Sequence, residues 1–355
     1  MQESVGDRKF WNIMKGIGII CVVVGHSGSW LTPYVYMFHM VLFVFISGYL
    51  FNERYVGDFK SFLKKRGKSL YWPTVKYRIA YALLHNVFIL LYIYSPVNGI
   101  FSYSFRETCV AVLKSFTLLS NLPIAGALWF VPFLLISLIF FCLVRKFAIY
   151  LNPDKIEFIT SVFLIGVFVL AWLLYCKGVT YSWGLSSFFV QPVLYGGFLI
   201  KKKNVHVKYN LILFIISIII LFEAYQISGR FVDLASSTIV NPFFFIFVST
   251  VGIYVSWCLS HLIMNNDYLA SAVAFVGTYS LHIMALHFLA FRGVSYIYVW
   301  IHELPLTKIS SAIYLDKNWW LVYSFVGIIM PVILMRTYKY IAKTIKSQIK
   351  CLIFR

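Results

Sequence analysis

Apolar runs long enough to cross a membrane recur along almost the whole chain. A transmembrane helix needs about 20 mostly apolar residues, and ten such runs lie at 10–29, 35–51, 75–94, 128–144, 157–175, 184–200, 209–226, 242–262, 269–291 and 319–335. Hydrophobic residues make up 61% of the 355 and charged residues 12%, whereas a soluble domain is nearer about one half and one quarter. The chain is therefore predicted to be an all-α polytopic membrane protein with about ten transmembrane helices in one bundle.

The segments between these runs are too short to form a separate soluble domain. Residues 1–355 are therefore predicted to form a single integral membrane domain. The longest connection, 96–127, is less apolar than its neighbours. It is predicted to be a loop with an interfacial or re-entrant helix.

The distribution of basic residues predicts the orientation. Cytoplasmic segments of membrane proteins collect Lys and Arg. With the N-terminus inside, 23 of the 31 Lys and Arg residues fall in cytoplasmic segments and seven fall outside. Both termini are thus predicted to be cytoplasmic, and residues 336–355 to form a basic cytoplasmic tail. This topology accounts for most of the net charge of +19 without nucleic acid as a partner.

The cysteines indicate neither a metal site nor a disulfide framework. Six are scattered through the chain, mostly within apolar runs, and no C-x-x-C pair occurs. Structural zinc sites and disulfide-rich domains both require regular cysteine spacing. No metal is therefore predicted.

Three polar residues interrupt the first apolar run and share one helix face. Asn12, Lys15 and His26 lie in an otherwise apolar segment. Eleven residues make close to three helical turns, which places Lys15 and His26 within about 20° of each other. Polar groups inside a membrane usually face a bundle interior or a wet cavity. The alternative is that Lys15 snorkels to one interface and His26 meets the other.

A second histidine and a basic segment follow. His39 lies a few residues into the second run, at about the depth of His26, so the two imidazoles are expected to line one cavity. Imidazole can take a proton from a hydroxyl near neutral pH and return it. The basic stretch around Arg66 is explained either by topology and lipid headgroups or by binding the phosphates of an anionic donor.

These residues, in this order, resemble the acyltransferase-3 family of membrane acyltransferases in its compact form without an appended extracytoplasmic domain. Lys15 and His26 match its Arg/Lys-x10-His signature. Further matching segments are FHMVLFVFISGYLF at 38–51, FLKKRGKSLYWP at 62–73, ALWFVPFLL at 127–135 and GTYSLHIMALH at 277–287. Two positions depart from the family pattern: Asn12 replaces a common aspartate, and Val41 replaces a proline.

The resemblance implies transfer of an acyl group, usually acetyl, from cytoplasmic acetyl-CoA to a hydroxyl of an extracytoplasmic or lipid-linked polysaccharide. It places the protein in the bacterial cytoplasmic membrane, with acetyl-CoA as a substrate and no tightly bound cofactor. His26 and Lys15 are the expected catalytic residues, His26 acting directly or through an acyl-histidine. The expected substrate-binding residues are His39, Arg66, Asn12, Trp129 and His287.

Two other classes of protein also fit parts of the pattern. An exporter or flippase of lipid-linked glycan would need a polar cavity in a helical bundle, but would not release CoA from acetyl-CoA. A purely structural membrane protein has no use for two histidines beside an intramembrane lysine.

Overall fold

A computed structural model describes residues 5–118, 122–179, 183–229, 232–239 and 241–353, and its regular elements there are helices. The first seven α-helices are α1 Val5–His26, α2 Thr32–Tyr36, α3 His39–Tyr49, α4 Arg54–Gly57, α5 Phe59–Arg66, α6 Trp72–Leu83 and α7 His85–Leu90. They are followed by α8 Phe105–Phe116, α9 Phe130–Leu151, α10 Ile156–Cys176, α11 Trp183–Phe189 and α12 Gln191–Lys202. The last five are α13 Leu211–Ser228, α14 Pro242–Met264, α15 Asp267–Thr278, α16 Ser280–Ile301 and α17 Trp320–Ile353.

The all-helical prediction is confirmed for the described residues, whereas the count of ten spans is not. Seven helical stretches within them are long and apolar enough to cross a membrane. They are Thr32–Tyr49, Pro123–Leu151, Pro153–Cys176, Leu211–Ser228, Pro242–Met264, Ser280–Ile301 and Lys317–Ile345. The first predicted run, 10–29, lies largely in the unbroken helix α1, which is not among the seven.

Four predicted spans contain breaks, of which 35–51 is interrupted at Met37 and Phe38 and 269–291 at Tyr279. The helix in 75–94 is interrupted at Leu84, between α6 and α7. The helix in 184–200 is interrupted at Val190, just before Gln191 and Pro192 begin α12. Proline lacks the backbone N–H that would continue a helix, so α12 starts a new helix there. The less apolar region 96–127 contains α8, whose N-terminus is closed by a capping box of Ser104 and Glu107.

Helix α1 lies within the bundle and packs closely against α15. Gly16 and Gly277 make this approach possible, because a Cβ at either position would overlap backbone atoms of the other helix. A second close contact joins α3 and α12, where a Cβ on Gly48 or Gly197 would overlap the backbone of the facing helix. Small residues commonly allow such approaches between membrane helices.

An ion cluster around the buried Arg145 joins α9, α10 and α12 to the segment before α4. The Arg145 side chain is 1% exposed and donates hydrogen bonds to Glu53 and, at 2.9 Å, to Glu157. Lys202 also binds both carboxylates, at 2.8 and 2.7 Å. The guanidinium lies 4.6 Å from the ring centre of Phe198. The buried guanidinium of Arg145 therefore has two carboxylates beside it, as burial of a charge requires, while the other members of this ion cluster are partly exposed.

The last helix continues beyond the predicted span. The prediction ended the span at 335 and assigned 336–355 to a tail, but α17 runs to Ile353. Arg336 lies over the ring of Phe275 and Lys339 over that of Tyr279, the latter at 4.7 Å. The start of the basic segment is thus a helix extension packed on aromatic side chains.

Candidate active site

A cavity of about 130 Å³ lies beside the C-terminal end of α1. Its described lining comes from five parts of the chain: α1, the α2–α3 region, the 3-10 turn Pro123–Trp129, the segment 232–239 and α16. The polar side chains in this lining are His26, Tyr36, His39, Trp129 and Asp233. The space is sufficient for several water molecules, and hence for the reacting ends of two small substrates.

His26 is the last residue of α1 and contacts the rings of Tyr36, His287 and Phe288. The Tyr36 hydroxyl lies 3.2 Å from its Nδ1 atom. The His287 ring stacks on its face, with ring centres 5.4 Å apart. Because the neutral ring holds one proton on either nitrogen, a bond from Nδ1–H to the Tyr36 oxygen leaves the Nε2 lone pair for a substrate.

His39 and His287 have their Nδ1 atoms occupied by backbone carbonyls. His39 Nδ1 lies 2.6 Å from the Val35 carbonyl oxygen, and His287 Nδ1 lies 3.0 Å from that of Ile283. A carbonyl can only accept, so in each case Nδ1 carries the proton and Nε2 has a free lone pair. The Nε2 atom of His287 is buried and has no hydrogen-bond partner within the part of the chain that the structure describes.

Short helices place these side chains. Pro33 stands in the first turn of α2, where its missing N–H costs no hydrogen bond. The chain then turns at Met37 and Phe38 and enters α3 at His39. Trp129 ends the 3-10 turn that leads into α9. The site is therefore assembled from helix ends.

The structure brings His26, His39 and Trp129 to one cavity and stacks His287 on His26, although His287 is not among the described residues that line the cavity. Asn12, Lys15 and Arg66 are not among the described residues that line this cavity. The Asn12 carbonyl instead packs where α1 meets Gly277 of α15. Lys15 is half-buried three turns before His26 on the same continuous helix.

Arg66 lies at the end of α5, in the basic segment. Its guanidinium is 5.7 Å from the ring centre of Phe62, and its Nε atom is buried without a hydrogen-bond partner among the described residues. Burial lowers the pKa of this guanidinium below its ordinary value. Arginine nevertheless remains charged under physiological conditions, so Arg66 offers a fixed positive charge away from the cavity.

Two polar residues of the cavity lining, Tyr36 and Asp233, were not predicted from the sequence. Tyr36 stands three residues before His39, and its position just outside α3 gave no sign that it reaches His26. Asp233 lies in a connection far along the chain, so only the tertiary fold brings it to the histidines. The only hint in the sequence was that Asp233 is an acidic residue between two apolar runs, and acidic residues are common in such loops.

The family comparison covers nearly the whole chain, including every element that lines the cavity. A family model described as "Acyltransferase domain" matches residues 8–336. The chain belongs to the acyltransferase-3 family. It is a multi-pass membrane acyltransferase, and the motifs that suggested the acyltransferase-3 resemblance contribute His26, His39 and Trp129 to one cavity. No curated protein and no solved structure is significantly similar to it.

Proposed function

We propose that this protein is an O-acetyltransferase that moves acetyl from acetyl-CoA to a hydroxyl of an extracytoplasmic or lipid-linked polysaccharide. The observation that carries the proposal is the convergence of His26, Tyr36 and His39 on one cavity in an acyltransferase-3 protein. A proton-accepting nitrogen beside a confined space is what attack by a hydroxyl requires.

In the proposed reaction, His26 Nε2 takes the proton as the acceptor oxygen attacks the thioester carbonyl. The new C–O bond forms, the C–S bond breaks, and the proton passes from His26 to the departing thiolate. Acetyl-CoA and an alcohol thus give an ester and free CoA. His39 Nε2 accepts a second hydrogen bond from the acceptor, which orients it for attack.

The acetyl-CoA donor is proposed to approach from the side of the molecule that carries Lys15 and Arg66. Eleven residues of helix separate Lys15 from His26, which at 1.5 Å per residue is about 16 Å. That distance is comparable with the length of a pantetheine arm. The CoA phosphates would lie near Arg66 and Lys15 while the thioester reaches the cavity.

Two features of the cavity favour acetyl over a larger or charged acyl group. Its volume of about 130 Å³ leaves room for a small group beside the acceptor. The carboxylate of Asp233, which lines the same cavity, would repel the free carboxylate of a succinyl group.

The proposal is tested by following both products. Wild type and His26→Ala are produced in host cells that carry an acceptor glycan, with cells lacking the gene as the control. Mass spectrometry before and after mild alkali is expected to find an alkali-labile acetyl group with wild type alone. Purified wild type in lipid nanodiscs should release free CoA from acetyl-CoA with acceptor present, and purified His26→Ala should not.

Two results would contradict the proposal. Full activity of correctly inserted His26→Ala would remove His26 from the chemistry. Identical glycans in all three cell lines, with unmodified lipid-linked precursor accumulating inside cells that lack activity, would favour the exporter class instead.

A further inference from the structure

We propose that Asp233 and the 232–239 loop form the acceptor subsite, and that this subsite takes a polyol with two adjacent free hydroxyls. The inference rests on the proposed function, because it names the chemistry of the second substrate. Asp233 belongs to none of the motifs that suggested the acyltransferase-3 resemblance, and its place in the cavity is evident only in the folded chain.

The 232–239 loop is held in place over α11. Asp233 and Thr238 exchange two backbone hydrogen bonds of 2.8 Å and thereby close a small loop. The buried Ser186 hydroxyl donates to the Leu234 carbonyl at 2.7 Å and lies 2.9 Å from the Ser237 hydroxyl. Asp233 therefore faces the cavity from an ordered backbone, which reduces the entropic cost of binding a ligand.

Among the described residues, two donors position the Asp233 side-chain oxygens without saturating them. One oxygen accepts from the Ala235 N–H at 2.9 Å, and the other accepts from the Ser236 hydroxyl at 2.9 Å. A carboxylate offers about four acceptor sites over its two oxygens, so each oxygen can take one further donor. Two acceptor atoms side by side match the two hydroxyl donors on adjacent carbons of a sugar ring.

The surroundings favour a sugar hydroxyl as the ligand. Asp233 lies within electrostatic range of Tyr36 and His39, and all three line the cavity. A diol bound by Asp233 would thus bring a neighbouring hydroxyl towards the two histidines. Trp129 adds an aromatic surface to the same lining, suited to the apolar C–H face of a sugar ring.

The test separates acceptor binding from catalysis. Wild type, Asp233→Asn and Asp233→Glu are purified in nanodiscs and assayed with acetyl-CoA and a panel of octyl glycosides. The panel contains glucoside, galactoside and N-acetylglucosaminide, with the 2-, 3- and 4-deoxy forms of the best acceptor. Asp316→Asn serves as the matched control, since Asp316 is another loop aspartate that caps a turn at the Asn318 N–H and does not line the cavity.

We expect Asp233→Asn to raise the acceptor KM about 10- to 100-fold, the effect of losing a charge-assisted hydrogen bond. The KM for acetyl-CoA and kcat at saturating acceptor should change less, and Asp233→Glu should recover part of the loss. Wild type should discriminate against at least one deoxy acceptor, and Asp233→Asn should not. Asp316→Asn should match wild type throughout.

The possible failures differ from one another. If wild type acetylates the glycosides but Asp233→Asn keeps the wild-type acceptor KM and the same discrimination against deoxy forms, the acceptor subsite is wrong while the proposed function stands. If wild type neither acetylates any of these polyols nor releases CoA with them, both proposals fail together.

Discussion

At the scale of single residues, the orientation of His26 determines which nitrogen is available for chemistry. Tyr36 is the side chain seen to bind its Nδ1 atom, at 3.2 Å. A hydrogen-bonded partner on one imidazole nitrogen holds the ring angle, and thus the direction of the other nitrogen. When the Tyr36 hydroxyl accepts from Nδ1–H, Nε2 offers its lone pair to a substrate. Tyr36 is therefore assigned a positioning role.

Replacing Tyr36 by Phe removes this hydrogen bond and keeps the ring. We expect kcat to fall about tenfold, the effect of one lost hydrogen bond, with the acetyl-CoA KM and the thermal midpoint close to wild type. Tyr34→Phe is the control, because Tyr34 stacks on Phe222 away from the cavity. Steady-state kinetics and thermal unfolding of both variants check this, and an unchanged kcat in Tyr36→Phe would remove the assigned role.

The histidines of the site could be predicted from the sequence, but Tyr36 and Asp233 beside them could not. His26 and His39 interrupt apolar helices, where a polar group needs a reason to be present. Asp233 lies in a connecting loop, where acids are ordinary, and its distance along the chain from His26 gives no indication of contact. Only tertiary packing distinguishes Asp233 from an ordinary acid in a loop.

At the scale of helices, neighbouring glycines of α12 have opposite environments. A Cβ on Gly197 would overlap the backbone of Phe45 in α3, whereas a Cβ on Gly196 meets no atom within 4 Å. Gly197→Ala is expected to destabilise the protein by about 1–3 kcal/mol through overpacking. Gly196→Ala should be neutral or slightly stabilising, since alanine favours helix. Thermal unfolding in detergent compares the pair, and equal midpoints would contradict the packing argument.

The ion cluster allows a second comparison between variants at neighbouring positions, Arg145 and Lys146. Arg145→Leu leaves Glu53 and Glu157 with Lys202 as their common partner. We expect it to cost about 1–3 kcal/mol, the effect of losing hydrogen bonds between charged groups, because the two carboxylates left behind are partly exposed and keep Lys202. Lys146→Leu removes the same charge from an exposed neighbouring position and should change stability by less than about 1 kcal/mol. Similar thermal midpoints for both variants would show that the ion cluster contributes little.

Hydropathy predicted that helices exist more reliably than it predicted whether each helix is continuous. The break at Val190 has a local cause that was visible in the sequence, since Pro192 lacks the N–H that would continue the preceding helix. The break at Leu84 has no such signal. It is followed by the buried His85, whose ring stacks on Tyr103 at 3.5 Å and whose Nε2 bonds the Phe101 carbonyl. These contacts join residues that are too far apart along the chain for a local sequence pattern to reveal them.

At the scale of the whole molecule, the distribution of basic residues predicts that the 232–239 loop and the α12–α13 connection lie on opposite sides of the membrane. In a background with all six cysteines replaced by serine, Ser236→Cys should react with an impermeant maleimide in intact spheroplasts. Lys203→Cys should react only after permeabilisation. Both residues are exposed, so accessibility depends on the side of the membrane, and the reverse pattern would invert the predicted orientation.

Helix α1 is continuous from Val5 to His26, so Lys15 and His26 lie at different depths along one helix. In the proposed reaction, this places the donor phosphates and the acceptor at opposite ends of the site, which has a consequence for the kinetics. With donor and acceptor entering from opposite ends, both substrates can be bound together, and initial-rate plots at varied acceptor should intersect. Free CoA would compete with acetyl-CoA but not with the acceptor, and the acetylated acceptor would compete only with its precursor. Each product would leave by the side from which its substrate came, so accumulation of either product would not close the entrance for the other substrate.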